Sequence, residues 1–71
     1  MEDLFVGCND AAYVLEPVAK QLLAAGVSRR RTHAALRAAA RRILRVAAQD
    51  AGLPMDLAEK HASSVALTLV G

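Results

Sequence analysis

The sequence predicts a small all-α fold, a bundle of three helices behind a short N-terminal arm. Gly26 and Gly52 are typical helix stops that divide the chain into three segments, and the joints after them are too short for anything but antiparallel neighbours. Apolar residues recur at helical spacing within these segments. The chain has 71 residues, which is enough for one core, so residues 1–71 are expected to form a single helical domain.

Residues 1–8, MEDLFVGC, are the predicted arm. Their apolar run from Leu4 to Val6 is closed by Gly7 and is too short for a helix of its own, so a packed arm or a short strand is expected. The aromatic ring of Phe5 is a possible contact with another protein.

Helix 1 is predicted to begin at Asn9, a good N-cap, and to end at Ala25. Pro17 has no N–H to bond the carbonyl of Tyr13, so we expect either a kink or a new helix start there. Four residues at the spacing i, i+4, i+8 and i+11 predict the core stripe of this helix. They are Val14, Val18, Leu22 and Ala25.

Helix 2 is predicted to follow Ser28 as its N-cap and to stop at Gly52. Its main part, from Ser28 to Gln49, is about 33 Å long at 1.5 Å per residue. On a helical wheel at 100° per residue, with Arg37 at zero, one sector from about 0° to 140° carries arginines and the opposite sector is apolar. The arginine sector holds Arg30, Arg31, Arg37, Arg41, Arg42 and Arg45, and the apolar sector holds Thr32, Leu36, Ala39, Ala40, Ile43, Leu44 and Ala47.

Helix 3 is predicted to start at Asp56, which forms a capping box with Glu59, and to run to Leu67 or beyond. Leu67 falls among polar residues on the wheel, so it is a possible contact with another chain. The tail ALTLVG also has strand character, because it is rich in Thr, Val and Leu. The apolar sector of the helix holds Leu57, Ala58, His61, Ala62, Val65 and Leu69.

The arginines of helix 2 are the strongest functional signal. The segment 28–49 has seven arginines and no acid, whereas two lysines against seven acids leave the rest of the chain at −5. Like charges stack at i, i+4 without relief, and three cations occupy a first turn whose dipole favours anions. Arginine also binds phosphate or carboxylate in a bidentate manner. The predicted anion-binding residues are Arg29, Arg30, Arg31, Arg37, Arg41, Arg42 and Arg45; the alternative is neutralisation by acids of neighbouring helices, namely Glu16, Asp50, Asp56 or Glu59.

The stretch LLAAGVSRRRTHAAL, residues 22–36, resembles a helix-turn-helix DNA-binding module. It departs from that pattern at Leu22, where such modules usually carry a small residue. The resemblance implies that Arg29, Arg30, Thr32 and His33 face base edges and that Arg37 and Arg41 contact phosphates.

The remaining residues do not indicate catalysis. Cys8, His33 and His61 lack the short spacing of zinc ligands, and Ser63 and Ser64 are not paired with an activating base. We therefore expect no metal, no cofactor and no enzymatic activity. No apolar run approaches the roughly 20 residues of a membrane span, and a single cysteine without a signal peptide fits a reducing, cytoplasmic location.

The function expected from these residues is that of a small regulatory binding protein whose arginines meet the phosphate backbone of DNA or RNA. One alternative is a protein–protein interaction module, such as a small inhibitor or adaptor of the phage or plasmid type, that docks on an acidic protein surface. Another is a homo-oligomer formed through the small side chains of helix 2, which are Ala34, Ala35, Ala38, Ala39 and Ala40. One cysteine excludes an intrachain disulfide in so small a domain, which also favours association.

Overall fold

The computed structural model describes the backbone of residues 2–71 and the side chains from Asp10 onward. It confirms a bundle of three helices, α1 (Glu2–Ala24), α2 (Arg29–Ala51) and α3 (Met55–Val70). The bundle measures 39 × 18 × 16 Å. Helix α2 packs against both of its neighbours, so the helix that carries the arginines is also the centre of the fold.

The prediction of an N-terminal arm or strand was wrong, because α1 already begins at Glu2 and passes through Asn9 without a start there. The sequence contains the reason: Leu4, Cys8, Ala11 and Leu15 follow i, i+4, i+7 and i+11, so the helical period extends upstream. Gly7 inside the helix costs only about 1 kcal/mol relative to alanine. The side chain of Phe5, a predicted contact, lies outside the described side chains.

The core stripe of α1 was also predicted on the wrong residues. The buried residues are Ala11, Leu15 and Ala19, whereas Val14 and Val18 are 59% and 41% exposed. Both sets have the i, i+4, i+8 spacing, so periodicity alone does not separate them. The alanine-flanked stripe is the one that faces the bundle, because small side chains let the helix backbones approach more closely.

Pro17 does not divide α1, so the predicted new helix start is absent from the described chain. Pro17 and Tyr13 are both exposed. The carbonyl of Tyr13, which loses its usual N–H partner at Pro17, therefore lies on the solvent side of the helix, where water can satisfy it.

Helix α2 has the predicted bounds and exposes the predicted arginines, but its buried stripe also includes Ala48, which lies at about 20° on the wheel and was not predicted. Its buried residues recur every fourth position, with Leu36 1% and Leu44 0% exposed. Ser28 caps its start, since its hydroxyl oxygen accepts the N–H of Arg31 at 3.2 Å. The full buried set is Thr32, Leu36, Ala40, Leu44 and Ala48.

Both interhelical turns contain a glycine in the left-handed region, as predicted. Gly26 has φ +89° and Gly52 has φ +70°. The N–H of Gly52 donates to the carbonyl of Gln49 at 3.2 Å, and the N–H of Leu53 donates to that of Ala48 at 2.8 Å. This paired arrangement is a Schellman motif, and it turns the chain sharply enough for α3 to fold back along α2.

Helix α3 differs from its prediction at the start and agrees with it at the end. Pro54 is the N-cap and no side chain caps the helix, so the predicted capping box of Asp56 and Glu59 was wrong. The short joint brings the chain into helical conformation at Met55, which places Asp56 inside the first turn, where its charge still suits the dipole. The tail is helical to Val70, and the hydroxyl of Thr68 donates to the carbonyl of Ser64 at 3.0 Å.

Candidate anion-binding face

The arginine face of α2 consists of six residues that share one side of the helix, and all six are exposed to solvent. The buried core stripe of the same helix runs from Thr32 to Ala48, and its packing against α1 and α3 fixes which residues of α2 point outward. Arg29 is exposed as well but projects from a different sector, at about 280° on the wheel. The arginine face is made of Arg30, Arg31, Arg37, Arg41, Arg42 and Arg45.

One ion pair joins this face to the rest of the bundle. Arg41 Nε lies 3.3 Å from Glu59 Oε1 of α3, and both side chains are about half exposed, at 49% and 58%. Across the side chains from Asp10 to Gly71, this is the one arginine paired with a carboxylate; Glu16 instead pairs with Lys20 at 3.1 Å within α1. Among the described side chains, a neighbouring acid therefore neutralises Arg41 but none of the other arginines of the face.

A cleft of about 610 Å³ between α2 and α3 forms one border of the arginine face. Its walls carry charges of both signs, with Arg37 and Arg41 on α2 facing Asp56, Glu59 and Lys60 on α3. The two carboxylates reduce the positive potential along this border, so the potential is expected to be highest on the parts of the face farther from α3.

At the start of α2, Ser28 already binds two of the N–H groups of the first turn. Its side chain accepts from Arg31 and its carbonyl accepts from Thr32, at 3.2 and 2.9 Å. Within the described chain, the N–H groups of Arg29 and Arg30 have no such partner and remain available to an anion.

Of the residues that the helix-turn-helix resemblance assigned to base edges, Thr32 is buried and His33 is only partly exposed. Thr32 is 0% exposed, and its hydroxyl Oγ1 has no hydrogen-bond partner among the described residues. His33 is half-buried, and its Nε2 is likewise buried and unpaired. The assignment of Thr32 to a base edge was wrong, because Thr32 belongs to the core stripe of α2, whereas Arg29 and Arg30 are exposed.

Most of the large exposed apolar side chains among the described residues belong to α1 and α3. Leu67 of α3 is 63% exposed, in agreement with its position on the wheel. Sequence reasoning missed Tyr13, which is 82% exposed and lines a shallow depression of about 390 Å³ together with Pro17. The spacing of Tyr13, Glu16, Pro17 and Lys20 along one side of α1 was the available signal.

In the described part of the chain, no three His, Cys, Asp or Glu side chains come close enough to hold a metal ion. Among the described helices there is also no candidate for a membrane span. Comparison of the chain with protein-family models, with curated proteins and with solved structures finds no match.

Proposed function

We propose that this protein is a small, non-enzymatic regulatory protein that binds the phosphate backbone of nucleic acid through the arginine face of α2. One observation carries the proposal: six arginines point outward from one rigid helix, and a single carboxylate among the described side chains pairs with them. A helix face whose only role is solubility would be more stable with alternating acids and bases. Opposite charges at i, i+4 stabilise a helix, whereas like charges destabilise it.

The spacing of the arginines suits a row of phosphates. Arg37, Arg41 and Arg45 follow one another by about 6 Å along the helix axis, and Arg30 extends the series to about 22 Å. Each guanidinium offers a planar fork of donors that matches phosphate oxygens. The face has no aromatic residue on which a base could stack, so its affinity is expected to come from phosphate contacts.

The test compares two variants that change the net charge equally. Arg37→Gln with Arg45→Gln removes two positive charges from the arginine face, whereas Lys20→Glu lowers the charge by the same two units on α1. Arg41 is left intact because its pairing with Glu59 would confuse a loss of binding with a loss of stability. Affinity for a fluorescein-labelled 20-base-pair duplex is measured by anisotropy in 0.1 M salt.

Two lost phosphate contacts should weaken binding about 60-fold, because each contact contributes a factor of about 8 through counterion release at this salt concentration. Lys20→Glu should change the affinity by less than about threefold, since exposed charges more than about 10 Å away are screened. Equal losses in both variants would mean that overall charge, and not this face, determines binding.

A second candidate function is protein binding, and the exposed apolar residues of α1 favour it. Tyr13, Val14 and Val18 are 82%, 59% and 41% exposed, and they belong to a helix that carries none of the arginines. An acidic partner docking on α2 could extend onto such residues, because interface cores are enriched in aromatic and apolar side chains. Retrieval of one stoichiometric protein partner that survives nuclease treatment would favour this function over nucleic-acid binding.

A further inference from the structure

Five of the six arginines of the face are arranged in two rows along α2. At 100° per residue, with Arg37 at zero, the first row lies between about 0° and 40° and the second between about 120° and 140°. All members of both rows are exposed. The first row contains Arg30, Arg37 and Arg41, and the second contains Arg31 and Arg42.

The strip between the two rows is lined by small side chains. Ala34 and Ala38 lie there, at about 60° and 100°, and both are exposed. Each presents only a methyl group. Arg45 enters the strip at about 80°, at the far end of the face. Between Arg31 and Arg42 the surface of the helix is therefore lined by two methyl groups, with arginines on either side.

The distance between the rows matches a feature of duplex DNA. An extended arginine that starts from a Cα radius of about 2.3 Å carries its guanidinium about 8 Å from the helix axis. Two rows separated by roughly 110° then place their guanidinium groups about 13 Å apart. The major groove of B-form DNA is about 12 Å wide and has a phosphate backbone along each edge.

We infer that the partner is B-form duplex DNA, with α2 lying along the major groove and each row of arginines contacting the phosphates of one strand. This inference rests on the proposed function and names its substrate class. The methyl groups of Ala34 and Ala38 then face the floor of the groove, where thymine methyl groups provide apolar contact. Helices α1 and α3 pack on the core stripe of α2, and α3 also borders the first row, where Glu59 lies 3.3 Å from Arg41.

Other nucleic acids fit the two rows less well. The major groove of A-form RNA is deep and narrow, so a helix cannot enter it and only one row reaches a backbone at a time. A single strand has one backbone, which again uses one row, and the face offers no aromatic platform for its bases. The affinity for duplex DNA should therefore exceed that for duplex RNA and single-stranded DNA of the same sequence.

The experiment uses the full chain and two double variants, one for each row. Arg30→Gln with Arg37→Gln removes two charges from the first row, and Arg31→Gln with Arg42→Gln removes both charges of the second. Circular dichroism verifies that each variant keeps its helical content, and Lys20→Glu is the charge-matched control. Labelled duplex DNA, duplex RNA and single-stranded DNA are titrated by anisotropy at several salt concentrations.

Both double variants should bind duplex DNA about 60-fold more weakly at 0.1 M salt and should lower the log–log salt slope by about 1.8. Wild-type protein should bind duplex RNA and single-stranded DNA at least tenfold more weakly than duplex DNA. An unchanged affinity on loss of the second row, or equal affinity for duplex RNA, would overturn the two-row inference while leaving phosphate binding intact. If the wild-type protein binds none of the three nucleic acids, the proposed function itself is overturned.

Discussion

Replacing Glu59 by glutamine changes one contact of the arginine face while leaving every arginine in place. The carboxylate of Glu59 lies 3.3 Å from Arg41 and competes with any phosphate for that guanidinium. Both side chains are about half exposed, at 49% and 58%, so loss of the pair should cost at most about 1 kcal/mol of folding stability. Glutamine has nearly the same helix propensity as glutamate, so α3 is expected to remain intact.

The effect on binding follows from the number of phosphates contacted. If Arg41 gains one full phosphate contact, the log–log salt slope becomes steeper by about 0.9, and the affinity at 0.1 M salt rises by at most about eightfold. Anisotropy titrations of the wild type and of Glu59→Gln on one duplex, at 50, 100 and 200 mM salt, measure both quantities.

Glu16→Gln is the matched control for this experiment. Glu16 also forms an ion pair, with Lys20 at 3.1 Å, but both partners belong to α1. The substitution removes the same charge and the same kind of contact without changing the surroundings of Arg41. An equal gain of affinity in both variants, or an unchanged salt slope in Glu59→Gln, would refute the claim that Glu59 competes for a phosphate-binding arginine.

Three further predictions concern folding, and denaturant titration followed by circular dichroism measures each of them. Thr32→Val should raise the free energy of unfolding by about 1 kcal/mol, because Oγ1 is buried without a described partner; a loss of stability would show that the hydroxyl is bonded. Leu44→Ala, at a fully buried position, should lower the free energy of unfolding by about 2 to 5 kcal/mol. Val46→Ala, at a side chain that is 60% exposed, should lower it by less than about 0.5 kcal/mol. Equal losses in the two variants would contradict the assigned core. Ser28→Ala should cost about 1 kcal/mol through loss of the cap, and no change would show that the cap does not stabilise α2.

The boundaries of α2 could be predicted from the sequence because local chemistry determines both ends. Ser28 can cap only the residues that follow it, and Gly52 can adopt a left-handed conformation that other residues rarely reach. Between them the apolar and charged sectors are clearly opposed, so the exposed side of the helix was predictable as well. The same holds for the stop at Gly26.

The packing of α1 could not be predicted in the same way. Val14 with Val18 and Leu15 with Ala19 are equally good stripes by spacing, and only the surfaces of the other helices decide which pair is buried. The stripe with the valines was predicted from its spacing alone. The bundle instead buries alanines on all three helices, among them Ala11, Ala40 and Ala62.

The arginine face could be predicted as a surface, but its internal contacts could not. Pairing of Arg41 with Glu59 depends on how α3 lies against α2, which no sequence spacing specifies. For the same reason Thr32 could be placed both in the apolar sector and at a base edge until the helix packing assigned it to the core.

The salt dependence of duplex DNA binding by the wild-type protein tests the central claim most directly. Four or five phosphate contacts through the arginine face predict a slope of log K against log salt between about −3.6 and −4.5. The affinity should then fall roughly 150- to 500-fold between 50 and 200 mM salt. Absence of binding at 50 mM salt, or binding with a slope near zero, would contradict the claim that this face meets phosphate.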